Sequence, residues 1–183
     1  MSQTPPATTT DGTSRQIDAE LEMRAIMARW SEPIYRHIRR IVVNHADAED
    51  ATQETFIKAY RNLAQLRNQE ALKAWLYRIA TNEALRIIAN KQHTSTTVEA
   101  FEDNSEQIAA DEYFDYSDLE AVLLQKAIHT LPPKQQIVFL LRYYDDLSYE
   151  EIACTAEISA ISAKVNYHFA KNKIIEYLKT HDR

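Results

Sequence analysis

The sequence predicts an all-α protein built of two small helical domains joined by an acidic linker. Three observations carry this. Among 183 residues the only glycine is Gly12, and both the turns of β-rich folds and phosphate-cradling loops depend on glycine. Apolar residues recur at three- and four-residue spacing through most of the chain. Between Gln92 and Gln125 there is no Lys or Arg but there are nine Asp or Glu. That stretch divides the helical pattern into two blocks.

Residues 1–15 begin MSQTPPATTTDGTS, a polar run expected to be a solvated tail. It lacks the basic start and apolar core of a signal peptide. A first block follows over residues 16–91. Its first helix is expected from Ile17 to Trp30. Pro33 suits the first turn of a second helix, EPIYRHIRRIVVN, with Ile34, Ile38, Ile41 and Val42 at helical spacing. Asp47 reads as the N-cap of a third helix, with Asp50 three residues on. That helix has Thr52, Phe56, Ala59 and Leu63 as its inner stripe, leaving Asp50, Gln53, Glu54 and Lys58 outside. After AQLRNQ a fourth helix, EALKAWLYRIATNEALRIIANK, follows, with Leu72, Leu76, Ile79, Leu85 and Ile88 as expected core.

Residues 92–116 form the acidic linker, where like charges favour an extended chain. Its few apolar residues leave open whether it is an inert spacer or docks on a folded domain. The second block, residues 117–183, opens on Ser117 and Glu120, a capping-box pair. Pro132 and Pro133 end that helix and start the next. Ser148 and Glu151 form another capping box, opening SYEEIACTA. Residues 157–159 read as a turn before a last helix whose inner stripe is Ala163, Tyr167, Ala170 and Ile174. Two helices about a tight turn have the shape of a helix-turn-helix, which offers its second helix to a DNA groove.

The net charge of −6 is a poor guide to DNA affinity. Residues 16–91 carry twelve Lys or Arg against ten Asp or Glu, and residues 126–183 carry eight against seven. The acidity belongs to the connector, and local cationic surface is what attracts phosphate. The single Cys154 cannot form an internal disulfide, which fits a reducing compartment. No apolar run approaches the roughly 20 residues of a membrane span. A cytoplasmic protein without membrane insertion is expected. No nucleophile–base pattern, metal-ligand spacing or Gly-rich loop is present. Neither an enzyme nor a cofactor is therefore expected, and the chemistry points to recognition.

Two segments together resemble one family. DAEDATQETFIKAYRNL with LKAWLYRIATNEAL is similar to region 2 of sigma-70 family RNA polymerase sigma factors of the extracytoplasmic-function (ECF) group. LPPKQQIVFLLRYYDDLSYEEIACTAEIS, with the helix after it, is similar to region 4. The resemblance implies a subunit that binds core RNA polymerase, recognises promoter −10 and −35 elements and directs transcription initiation. An anti-sigma factor is a further implied partner.

Carried onto this chain, the resemblance places core-polymerase contacts at Asp47, Asp50, Gln53 and Glu54. The plain alternative is a solvated face with two capping aspartates. It places −10 contacts at Arg67, Asn68, Lys73, Trp75, Tyr77, Arg78, Asn82 and Arg86. Rings and cations suit capture of unstacked bases, although Trp75 also falls at core spacing. Thr81 stands where the family often has Arg. It places −35 contacts at Ser159, Ile161, Ser162, Lys164, Val165, Asn166, His168 and Lys171. Here the chain departs from the pattern. Glu157 occupies the turn where Gly is usual, and Asn166 and Phe169 stand where Arg is common. Ile161, Val165 and Phe169 form an apolar row opposite the inner stripe. Three readings of the row stand open: contact with thymine methyls, a helical partner, or core in another register. Two alternatives to a sigma factor also stand: a stand-alone helix-turn-helix regulator, and a helical interaction protein with degenerate DNA binding.

Overall fold

The computed structural model describes residues 10–66, 68–94 and 119–181. These form seven α-helices, with no strand among the described residues: α1 (Thr10–Val42), α2 (His45–Asn62), α3 (Leu72–Thr94), α4 (Leu119–His129), α5 (Pro133–Tyr143), α6 (Tyr149–Ala156) and α7 (Ala160–His181). Two short 3-10 turns, Leu63–Gln65 and Gln69–Ala71, lead from α2 into α3. Helices α1, α2 and α3 pack pairwise into a bundle, and α7 lies against α4, α5 and α6. The two groups also meet, α3 against α6 and α1 against α5. One continuous apolar cluster therefore runs from Ile34 and Leu76 to Leu140 and Ile152.

The expected break at Pro33 is absent, and α1 passes straight through it. Proline inside a helix removes one backbone bond and crowds the preceding turn. Here Met23, Ile26, Ile34 and Ile38 lie buried on both sides of it, so packing on α2 and α3 outweighs the local cost. The N-cap of α2 is Asn44, not Asp47: its side chain accepts from the Asp47 backbone N–H at 3.1 Å. Asp47 instead supplies negative charge to the first turn, where the helix dipole favours it. The inner face of α2 holds Ala48, Ala51, Thr55, Phe56 and Ala59, while Thr52 is only half-buried.

Helix α3 departs most from its expected stripe. Leu76 is buried as expected, but so are Ala74, Tyr77, Ala80, Thr81, Glu83 and Ala84, while Leu85 is exposed. The cause is that α3 is enclosed by α1, α2 and α6 at once, so no single apolar face describes it. The helix also extends three residues beyond the expected end at Lys91. The Ser117 cap and the acidic linker from residue 95 onward lie outside the described residues.

Where α4 ends, the His129 ring lies between the amides of Gln125 (3.1 Å) and Gln136 (3.2 Å). Burial, with the Arg39 guanidinium adding to it, pushes His129 down to about 4. The folded protein therefore holds this ring neutral, whereas the unfolded chain takes up a proton below about 6.5. Its contribution is complete above that value and is lost as pH falls toward 4. Stability should drop by on the order of 1–2 kcal/mol between pH 7 and pH 5. In urea titrations His129→Gln should flatten this slope; an unchanged slope would assign it elsewhere.

Candidate nucleic-acid interface

The helix-turn-helix is built locally as expected. The Ser148 hydroxyl accepts from the Glu151 N–H at 3.1 Å, and the Glu151 carboxylate accepts from the Ser148 N–H at 2.7 Å. Helix α6 then ends on Glu157 in the left-handed region, φ 54° and ψ 45°, with Ile158 N–H donating to the Ala153 carbonyl. A side chain there costs about 1–2 kcal/mol relative to glycine. The turn keeps its usual shape despite the missing glycine. Ser159 caps α7 by accepting from the Ser162 N–H at 3.0 Å.

Helix α7 turns Ala163, Ala170 and Ile174 inward, and the half-buried Tyr167 ring stacks on Phe139 at 5.7 Å. Its opposite side carries the apolar row: Ile161 is 78% exposed, Val165 46% and Phe169 51%. Those values remove the reading of the row as core. Lys164, His168 and Lys171 are exposed as well. Ser162 and Asn166 are half-buried and tied together, the Asn166 amide donating to the Ser162 carbonyl (2.8 Å) and hydroxyl (3.2 Å).

The expected −10 residues fall into two sets. Trp75 and Asn82 share a cleft of about 370 Å³ between α2 and α3, together with Lys58, Asn62, Gln65, Ile79 and Glu83. Trp75 is half-buried and Asn82 exposed, so one ring and one amide face open space. Arg86 borders this region and is held by Glu83 at 2.9 Å. Asn68 caps the second 3-10 turn, accepting from the Glu70 N–H at 2.8 Å. Arg67 lies outside the described residues.

The second set faces the C-terminal helices. Lys73 donates to the Asp146 carbonyl at 3.1 Å, and Arg78 pairs with Glu157 at 2.5 Å. The Thr155 hydroxyl donates to the Ala74 carbonyl at 3.2 Å. Tyr77, expected as a base platform, is instead core: 2% exposed, with its ring edge-on to Trp30 and to His37. Sequence spacing could not separate Trp75 from Tyr77, since both lie within one turn of Leu76.

Asp145, after α5, is the centre of this contact. It reaches into the N-terminal bundle, where His37 Nδ1 lies 2.6 Å from its carboxylate and both side chains are buried. His37 Nε2 meets the Thr81 hydroxyl at 2.9 Å, which accounts for Thr81 at a position where arginine would have no room. Burial, and then the Asp145 carboxylate beside it, raises Tyr77 well above the ordinary phenol range. Arg40 sits 3.9 Å from the other Asp145 oxygen and its guanidinium stacks over Tyr144 at 4.0 Å. The Asp145 charge is thus compensated by groups from α1 and α3, as a buried charge requires. No motif in the sequence linked His37 to Asp145, which lie 108 positions apart.

On α2, Asp50 and Gln53 are exposed and Glu54 is half-buried. Asp47 is paired with Lys91, and Glu54 lies 4.0 Å from Lys58. Beside Gln53, a groove of about 820 Å³ opens between α1 and α2 over Met23, Met27, Phe56, Ile57 and Tyr60. Met27, Ile57 and Tyr60 are each more than two-fifths exposed. Their apolar character on an otherwise polar face is the sequence signal that marks this groove. Among the described residues no helix is long and apolar enough to cross a membrane.

The sequence matches the family models for Sigma-70 region 2 over residues 26–94 and Sigma-70, region 4 over residues 121–174. It is 34% identical over 137 residues to the ECF RNA polymerase sigma-E factor of Escherichia coli, covering 70% of this chain and 71% of that protein. It is 29% identical over 169 residues to ECF RNA polymerase sigma factor SigE of Mycolicibacterium smegmatis, covering 86% of this chain but 65% of SigE. In fold it is similar to the sigma factor RpoE of Bartonella quintana, solved with the anti-sigma factor NepR. That match has a TM-score of 0.70 at 21% identity, over 86% of this chain and 97% of that one. It is also similar to CnrH, solved with the cytosolic domain of CnrY, with a TM-score of 0.64 at 17% identity over 88% and 90% of the two chains.

Proposed function

The chain belongs to the ECF group of sigma-70 family sigma factors, and from that premise we propose that it joins core RNA polymerase in the cytoplasm and directs initiation at promoters with −10 and −35 elements. What supports this reading is that one chain carries two separate surfaces whose side chains suit nucleic acid. One is the cleft holding Trp75 and Asn82; the other is the exposed outer face of α7. A stand-alone regulator has no need of the first.

Each element has a distinct task. Helix α7 enters the major groove at −35, where Lys164 and Lys171 neutralise phosphates and Ser159, Ser162, Asn166 and His168 border the bases. Trp75 stacks an unpaired −10 base while Asn82 bonds its edge. Arg86 and Asn68 contact the same strand, and Arg67, Lys73 and Arg78 add cationic charge. Asp50, Gln53 and Glu54, with the neighbouring α1–α2 groove, form the polymerase-docking face. An acidic face beside an apolar groove steers and then holds a basic partner.

The closed packing of α3 on α6 is the holding form of this subunit. It is supported by the engagement of Lys73, Arg78 and the Ala74 carbonyl with the C-terminal helices. Polymerase separates the two halves, and an anti-sigma factor keeps them together.

Two measurements test the reading. Asp50→Lys combined with Gln53→Lys should weaken affinity for core polymerase at least ten-fold while leaving the fold intact by circular dichroism; unchanged affinity removes this face from docking. Lys164→Ala and Lys171→Ala should each weaken duplex binding at all sequences and lower the salt slope by about one. Salt dependence unaltered in both would count against groove docking of α7.

A further inference from the structure

The outer face of α7 is unusual for a helix that reads DNA. From Ala160 to His181 it contains no Arg, Gln or Asp. Arg and Gln are among the side chains that clamp guanine and adenine with paired hydrogen bonds. The Asn166 amide, which could clamp adenine, is already spent on Ser162. His168 and Asn172 are engaged with each other at 3.1 Å. Before Asn172, which continues the row less than one turn beyond Phe169, this face offers a groove Ile161, Val165 and Phe169, all substantially exposed and one above another along the helix.

The charges beside the row favour DNA as its occupant. At 100° per residue, Lys164, His168 and Lys171 line one side of it and Ser162 and Lys173 the other. The sole acid of the helix, Glu176, lies about two turns beyond Phe169, away from the N-terminal part that a recognition helix inserts. Among base edges in the major groove, the apolar feature is the 5-methyl group of thymine. From Ile161 to Phe169 the row runs about 12 Å, which spans roughly three to four base-pair steps.

We infer that Ile161, Val165 and Phe169 are specificity-determining residues that select thymines at the −35 element by contact with their methyl groups. This rests on the reading of the chain as a promoter-binding subunit. It goes beyond that reading by naming which bases are chosen and by what chemistry. Hydrogen bonding contributes little to the choice, and the lysines hold the helix in register on phosphates.

The test uses the full chain with core polymerase on a promoter library randomised at −35. Selected promoters are then remade with each −35 thymine replaced by deoxyuridine, which removes one methyl and nothing else. Each contacted thymine should cost roughly three- to five-fold in initiation, the effect of one buried methyl group. Ile161→Ala and Val165→Ala should each erase the penalty at one position, since such exposed residues can change without harm to the fold. Initiation that is specific but indifferent to uracil at every position overturns the inference and leaves the function standing. The same penalties in wild type and in both alanine variants also overturn it. Indifference to uracil with a dimer in sedimentation that Ile161→Ala dissolves gives the row to a second copy of the chain. No specific initiation on any template overturns the function and the inference together.

Discussion

Replacing Asp145 with alanine is expected to open the molecule. The carboxylate takes the His37 ring at 2.6 Å in a buried setting and lies against Tyr77 and Arg40. Removing it leaves those groups facing an apolar contact without their acceptor. Leaving a buried polar group without its hydrogen-bond partner in this way costs about 1–3 kcal/mol. The loss falls on the contact between the two halves, because Asp145 projects from one into the other, while the helices within each half keep their mutual packing. Helical content by circular dichroism should change little, while the radius of gyration from solution scattering should increase. Affinity of the free protein for a single-stranded −10 oligonucleotide should rise, because Lys73 and Arg78 are released from Asp146 and Glu157. Arg78→Ala provides the contrast. Its pair with Glu157 is exposed on both sides, so its loss should open the molecule far less. Unchanged dimensions and unchanged oligonucleotide affinity in Asp145→Ala would contradict the holding form.

The second large effect is expected at Trp75. Its ring lines the α2–α3 cleft beside Asn82, and base–aromatic stacking is worth about 1–3 kcal/mol. Trp75→Ala should therefore lower the formation of melted promoter complexes by roughly five- to 150-fold, read by permanganate reactivity of −10 thymines. Closed-duplex binding through α7 should be unaffected, and Trp75→Tyr should retain most of the activity. Equal loss in closed and melted complexes would instead mark Trp75 as a packing residue.

The parts of the molecule legible in the sequence are those set by local chemistry. The Ser148–Glu151 capping box, the proline start of α5 and the inner stripe of α7 all follow from residues within a few positions of one another. The elements misread are those set from a distance. Pro33 looks like a helix start, but tertiary packing carries α1 through it. Tyr77 and Trp75 are equivalent by spacing; the side on which α1 and α6 lie buries one and leaves the other in a cleft. The His37–Asp145 contact joins positions 108 apart, and neither residue stands out in its own segment. Glu157 was legible only in part. Its cost in the left-handed turn follows from its side chain, but its partner Arg78 lies 79 positions away. The apolar row of α7 was visible from helical rotation alone. Choosing among its three readings needed the exposure of Ile161, Val165 and Phe169.

As a sigma factor, this chain gives core RNA polymerase its choice of promoter. The most direct measurement is run-off transcription on genomic fragments with core polymerase, with and without the purified chain. Discrete transcripts with defined 5′ ends should appear only when the chain is present, and should shift or vanish when the −10 or −35 segment upstream of them is scrambled. Transcription that starts no more specifically with the chain than without it, on every fragment, would rule out a promoter-selecting role.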